Sequence, residues 1–294
     1  MGRKSVFDII SQKHDISVEL KRINTLLNDK NAIEFVWNSD PFHRVQNRSV
    51  FSFVDSYAFK RWEGRGTCLD IRDFMRSVGI DQLNESETIH EKDALLYLEA
   101  CINIVLLVEP GIKSRSDWKC TTSDVFDAAL NNILLVIDLL NYEVTDSDEN
   151  AGVILTKNDV AAASVAEFVD SDLGYEILKY NHFALKGEIE EKKKILNSIG
   201  NALEPMREEL NKENTRLTTD IFFVLNNYNI RHNNCDPDGK HLNPHIENIS
   251  ANDIEEVYDD LYQMCLLAFL LIEQTDRYDR IAVLRKNSRK KTEV

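Results

Sequence analysis

The segment 225–245, LNNYNIRHNNCDPDGKHLNPH, gathers three of the chain's seven histidines, six asparagines, an arginine, two aspartates and a cysteine between two long helical runs. Histidine titrates near neutral pH and moves protons. Arginine presents a planar fork of donors suited to a phosphate. Asparagine hydrogen-bonds nucleotides or caps its own backbone. Together these residue types could recognise a phosphate and transfer a proton beside it.

Extending the helical face of Val224 and Tyr228 by three or four residues brings Asn227 and Arg231 onto or beside the core-facing stripe, where the helix runs out. An inward arginine there needs an anion. Two readings follow. Arg231 either bridges to an acid such as Glu99, which sits among apolar positions of an earlier helix, or faces a cleft and receives a phosphate. His232 adjoins Arg231, and His241 is the next histidine along, so these two are the candidate proton-transfer groups. Asn227, Asn233 and Asn234 either contact a nucleotide or cap the helix end and form Asx-turns.

Metal chemistry is not expected, and no cofactor is called for. Asn234, Asp236, Asp238 and Gly239 match the opening of a calcium loop, but its twelfth position is His245, where a bidentate glutamate is needed. Asp236-Pro237-Asp238-Gly239 fits a β-turn better. Cys235, His241 and His245 have the right chemistry for zinc, yet Pro244 interrupts the histidine pair and no second cysteine is near.

The elements that must position this loop are helical. Ten glycines and five prolines in 294 residues leave little turn punctuation for a many-stranded sheet, and Leu, Ile, Glu, Asn and Lys abound. Thr88 with Glu91 has capping-box spacing before an apolar run that Glu109-Pro110-Gly111 should stop. A second helix follows over about 123–142. A third carries Ile189, Leu196, Ile199, Leu203, Met206 and Leu210, with a bend at Pro205, and continues through Leu217 and Ile221. A fourth starts at Ser250 with Asp253 and turns Ile254, Tyr258, Leu261, Cys265, Phe269 and Ile272 inward. The polar link 82–87 is the expected boundary, giving an N-terminal subdomain over 1–84, a helical bundle over 85–285 and a basic, frayed tail over 286–294.

The net charge of −15 repels a nucleic-acid backbone unless cations gather locally. They do gather in the N-terminal subdomain. Arg44, Arg48, Lys60 and Arg61 interleave with Phe42, Phe51, Phe53, Tyr57, Phe59 and Trp62, a composition that suits either a small aromatic core or a surface that stacks on bases. Residues 143–176 hold nine acids against Lys157 and form a solvated negative face, a surface on which a protein partner could dock. Five scattered cysteines without a CxxC fit reduced thiols in a cytoplasmic protein. The stretches 94–108 and 133–140 are shorter than the roughly 20 residues of a membrane span, and the N-terminal MGRKSVFDIISQKHD lacks an apolar signal core, so neither a membrane nor export is expected.

A bundle of long helices in which Arg231 and a polar neighbour close one helix, histidines follow in the loop, and another long helix comes next resembles the HEPN superfamily of helical nucleotide-binding and ribonuclease domains. The resemblance covers residues 88–285. It implies an all-α antiparallel bundle, metal-independent RNA cleavage in which the arginine steadies the phosphate and a histidine handles the 2′-hydroxyl proton, and a homodimer that brings two motifs together. Many members serve in phage defence or toxin–antitoxin systems. In the family four to six residues separate the arginine from its histidine, whereas here Asp236, Pro237 and Asp238 occupy the expected places and the histidines stand one and ten residues on. Either His232 or His241 substitutes, or the chain binds nucleotide or a protein partner without cleaving RNA.

Overall fold

The computed structural model describes residues 15–79, 89–147 and 152–292. Helix accounts for 65% and strand for 9%, and the chain forms two compact units, Met1–Leu155 and Thr156–Val294. The largely helical expectation holds, while the all-α one is corrected by a small sheet. The expected boundary at 84/85 and the cap at Thr88 lie outside the described residues.

The described part of the first unit opens with α1 (Ile16–Asn28), capped by Asp15 and burying Leu20, Ile23 and Leu27. Next comes β1 (Ile33–Trp37), whose sequence IEFVW is β-branched and aromatic, the composition that suits a pleated, half-buried surface. It is the central strand of an antiparallel sheet. On one side β2 (Gln46–Arg48) pairs Arg48 with Ile33, and on the other β3 pairs Trp118 with Trp37. α2 (Val50–Tyr57), capped by Ser49, leads through two 3-10 turns to α3 (Ile71–Ser77).

The apolar run forms α4 (Glu91–Leu106), followed directly by α5 (Val108–Lys113). Pro110, expected to stop the helix, sits in the first turn of α5, where a missing N–H breaks no helical hydrogen bond. Gly111 lets α5 approach α2, since a Cβ there would meet the Phe53 ring at 2.9 Å. The span Glu91–Lys113 has the length and composition to cross a membrane, but 61% of its most apolar stretch is buried inside the fold, as in a core helix. After β3 (Trp118–Thr122), α6 (Asp124–Leu139) packs on α1 and α4. A hairpin of β4 (Tyr142–Asp146) and β5 (Val153–Lys157) then carries the chain into the second unit.

α4 supplies polar partners to β5. The buried Asn103 amide donates to the Val153 carbonyl and accepts from the Val153 N–H, both at 2.8 Å, and Glu99 accepts from the Leu155 N–H. Buried backbone groups without such partners are costly. Gly152, at φ 146°, fits only because it lacks a side chain: a Cβ would stand 2.1 Å from the Asn103 amide oxygen.

The second unit is the helical bundle. α7 (Val160–Ala166) and α8 (Ser171–Tyr180) start from aspartate caps at Asp159 and Asp170. α9 (Ile189–Leu203) ends in a 3-10 turn at Glu204–Met206, which places Pro205 at the predicted bend, and α10 (Arg207–Glu213) and α11 (Thr215–Asn227) follow. The short α12 (Pro244–Glu247) precedes α13 (Ala251–Thr292), at whose start the Ser250 hydroxyl accepts from the Asp253 N–H and donates to the Asp253 carboxylate. α13 packs along α7, α9, α10 and α11. Its buried residues include Ile254, Tyr258, Leu261, Cys265 and Phe269, five of the six expected; Ile272 is partly buried. The helix runs through the stretch expected to fray, where Arg and Lys favour helix and neither Gly nor Pro intervenes.

Candidate functional site

The loop between α11 and α13 is an ordered structure built around Asn234. That side chain is 1% exposed. Its amide oxygen accepts from the Asn229 N–H at 2.7 Å, and its amide nitrogen donates to the carbonyls of His241 at 2.6 Å and Asn226 at 3.3 Å. Its own carbonyl accepts from the Asn243 N–H. Asn229 takes a left-handed conformation at φ 59°, which asparagine tolerates better than most side chains. At the helix end Tyr258 donates to the Tyr228 carbonyl, and Asn227 turns back to the Phe223 carbonyl. Asn233 is exposed. The predicted turn forms: Gly239 N–H reaches the Asp236 carbonyl, and Asp238 N–H reaches the Asp236 carboxylate.

Arg231 points inward as the helical projection requires, but its acid is Glu204 rather than Glu99. Its guanidinium also donates to the Gly200 carbonyl at 2.7 Å, in the last turn of α9, where a cation complements the helix dipole. The group lies over the Phe222 ring at 5.4 Å, and Arg207 lies over the same ring at 4.3 Å while pairing with Glu204 at 3.3 Å. Burial tends to raise the Glu204 pKa, but hydrogen bonds and charge from Arg231 and Arg207 outweigh it and hold the carboxyl below its ordinary value. The side chain of Arg231 is 15% exposed, so the group joins the ends of α9 and α11 and serves the architecture of the bundle.

The two candidate proton-transfer histidines do come together. The rings of His232 and His241 stack with centroids 4.0 Å apart and planes within 20°. His232 is half-buried and His241 exposed, so both reach solvent. Asn234 ties the two backbone stretches that carry the rings, through the His241 carbonyl and the N–H of Asn229, three residues before His232. His245 lies apart on α12, exposed. Among the described residues no three His, Cys, Asp or Glu side chains converge in a way that could hold a metal ion.

The basic aromatic segment of the first unit divides between core and surface. Phe53 and Phe59 are fully buried, and Phe35, Trp37, Tyr57 and Trp118 form a continuous aromatic cluster with Phe53. Phe42, by contrast, is 78% exposed. Arg44 pairs with Asp40 at 2.9 Å, and Arg48 covers the rings of Phe35 and Tyr57. Lys60 and Arg61 instead line a cavity of about 340 Å³ with Tyr57 and Arg115. Arg115 was not singled out in the sequence. Its signal was the same interleaving of cation and aromatic, in Arg115-Ser116-Asp117-Trp118, but too short to stand out.

No known family model, characterised protein or solved structure matches this chain.

Proposed function

We propose that the α11–α13 loop is an RNA- or nucleotide-directed site of HEPN-like character, with His232 and His241 as its proton-transfer groups and with no metal in the reaction. The observation that carries this reading is the stack of two solvent-reaching histidines, nine residues apart in sequence, at the end of a helical bundle. One imidazole in its neutral form takes the proton from a ribose 2′-hydroxyl, and the other in its protonated form gives one to the leaving oxygen. Arg231 acts in this scheme by fixing the helix end from which His232 projects. A homodimer placing two loops together completes the site, and phage defence or toxin–antitoxin action is its biological setting.

Incubating the purified protein with total RNA and EDTA tests the proposal. Cleavage that persists in EDTA and disappears in both His232→Ala and His241→Ala, at unchanged melting temperature, is the expected result. Intact RNA with the wild-type protein would sink the ribonuclease reading, and a monomer in light scattering at micromolar concentration would remove the composite site.

A second reading is favoured by the internal engagement of Arg231 with Glu204 and Gly200. In it the protein is a non-catalytic helical module that meets a protein partner through its acidic surface, and the loop is a well-capped helix end. Wild-type and His232→Ala proteins that leave RNA equally intact, while both capture the same partner, would support it.

A further inference from the structure

We infer that the cavity of the first unit binds the phosphate group of a small phosphate monoester. The inference rests on residues separate from the histidine loop and stands or falls independently of the function proposed for it.

Lys60 and Arg61 reach the cavity from the 3-10 turn Phe59–Arg61, and Arg115 reaches it from the connection before β3. In a chain of net charge −15, three cations around one cavity run against the overall composition. The backbone that carries them is anchored from below. Phe59, in the same turn, is fully buried, and Arg61 donates back to the Tyr57 carbonyl. Arg115 is held by a two-pronged bond to Asp117 at 3.0 and 2.8 Å while lying 4.9 Å over the Trp37 ring.

Two carboxylates stand nearby, and the three cations outnumber them. Asp117 is taken by Arg115, and Asp55, the carboxylate lining the cavity, accepts from the Ile71 N–H at the start of α3 at 3.1 Å. Among the described residues Lys60 and Arg61 have no carboxylate partner. Positive charge in excess of the carboxylates around it is the arrangement that receives an anion. Ser56 and Ser114 also line the wall, with their hydroxyl protons engaged inside the fold. Each donates its proton to a carbonyl, of Ser52 and Gly111, at 2.8 and 2.7 Å.

The size and walls of the cavity favour a small ligand over a polymer. Its volume of about 340 Å³ falls at the lower end of small-molecule sites, which run on the order of 300–1,000 Å³. Stacking platforms for successive bases are missing from its described lining: Tyr57 is its one aromatic residue, and that ring is covered by Trp118 at 4.6 Å and by Arg48 at 5.6 Å. A ligand with one concentrated double charge and a compact polar body fits these walls.

The test is calorimetric titration of the full chain with inorganic phosphate and with ribose 5-phosphate, set beside ribose as the uncharged control. Both phosphates should bind saturably and ribose should not. Lys60→Glu should weaken ribose 5-phosphate at least tenfold with an unchanged circular dichroism spectrum, and Arg61→Gln should do so to a smaller extent. Arg216→Ala, an exposed cation in the second unit, should bind as wild type does. Should Lys60→Glu fail to fold, Lys60→Gln carries the comparison, because Lys60 makes no side-chain bond to another described residue. No saturable phosphate binding, or equal binding by the Lys60 variant, overturns the inference. So does a single-stranded RNA oligomer that binds through Lys60 when neither small phosphate does, since the surface would then serve a polymer.

Discussion

The two units treat their cations differently. In the second unit Lys192 is 6% exposed and meets Glu255 at 2.8 Å and Asp259 at 2.6 Å, with Tyr180 donating to the same Asp259. Arg231 meets Glu204 and a helix-end carbonyl. In the first unit Lys60 and Arg61 line a cavity together with Asp55, and neither forms an ion pair among the described residues. A cation bound to the protein's own carboxylates and carbonyls serves first to hold the fold together. One with no ion pair of its own has its field free for a ligand. An arginine close to histidines therefore does not by itself identify a phosphate site; where its counter-ion lies decides the matter.

The contrast breaks most sharply at Lys192. Lys192→Met leaves Glu255 facing the bundle without its partner, and removing one member of a buried pair costs roughly 3–5 kcal/mol. Denaturant unfolding should show that loss, and a change under 1 kcal/mol would mean the network is not structural.

Arg231→Ala comes next. It removes charge-assisted bonds to Glu204 and Gly200, each worth about 1.5–3 kcal/mol where fully buried and less here because Glu204 is 44% exposed. A loss of about 2 kcal/mol is expected. A melting temperature equal to wild type, together with lost RNA cleavage, would return Arg231 to the role of phosphate ligand.

Acid should sharpen the same comparison. Glu204 and Glu255 both have pKa values below the ordinary 4.5: burial works to raise each, and the neighbouring hydrogen bonds and cations overcome it. A carboxyl depressed in the folded state contributes stability in full above its unfolded value, and loses that contribution as pH falls through its folded value. Melting temperature measured from pH 6 to pH 3 should therefore fall mainly below about 4.5, and Glu204→Gln should flatten part of that fall. A decline centred well above that value would mean that these two carboxylates do not set it.

The smallest effect on stability is expected at the cavity. Lys60→Glu should change unfolding free energy by no more than about 0.5 kcal/mol, as surface substitutions usually do. A larger loss would show that Lys60 is also architectural.

Much of the second unit was legible in the sequence. Period-3.6 apolar spacing depends only on local order, and it gave the α9–α11 run, the break at Pro205 and most of the inward face of α13. Capping pairs such as Ser250 with Asp253 are equally local. The sheet of the first unit was not legible. Its outer strands are three and five residues long, and β1 finds β3 some eighty residues away, a pairing no local pattern announces. The aromatics of 42–66 left core and surface both open, and burial of Phe53 and Phe59 settled those two as core.

What the sequence by itself determined is the helical character, the ordered turn at Asp236–Gly239 and the inward aim of Arg231, because each follows from backbone propensity and spacing within a few residues. Only the tertiary structure decided that Arg231 answers to Glu204, that Asn234 is spent inside its own loop, that His232 and His241 stack, and that Lys60, Arg61 and Arg115 share one cavity. The reason is physical: a charge or hydrogen-bond donor fixes its own demand locally, but which group meets it depends on what packing brings within about 3 Å.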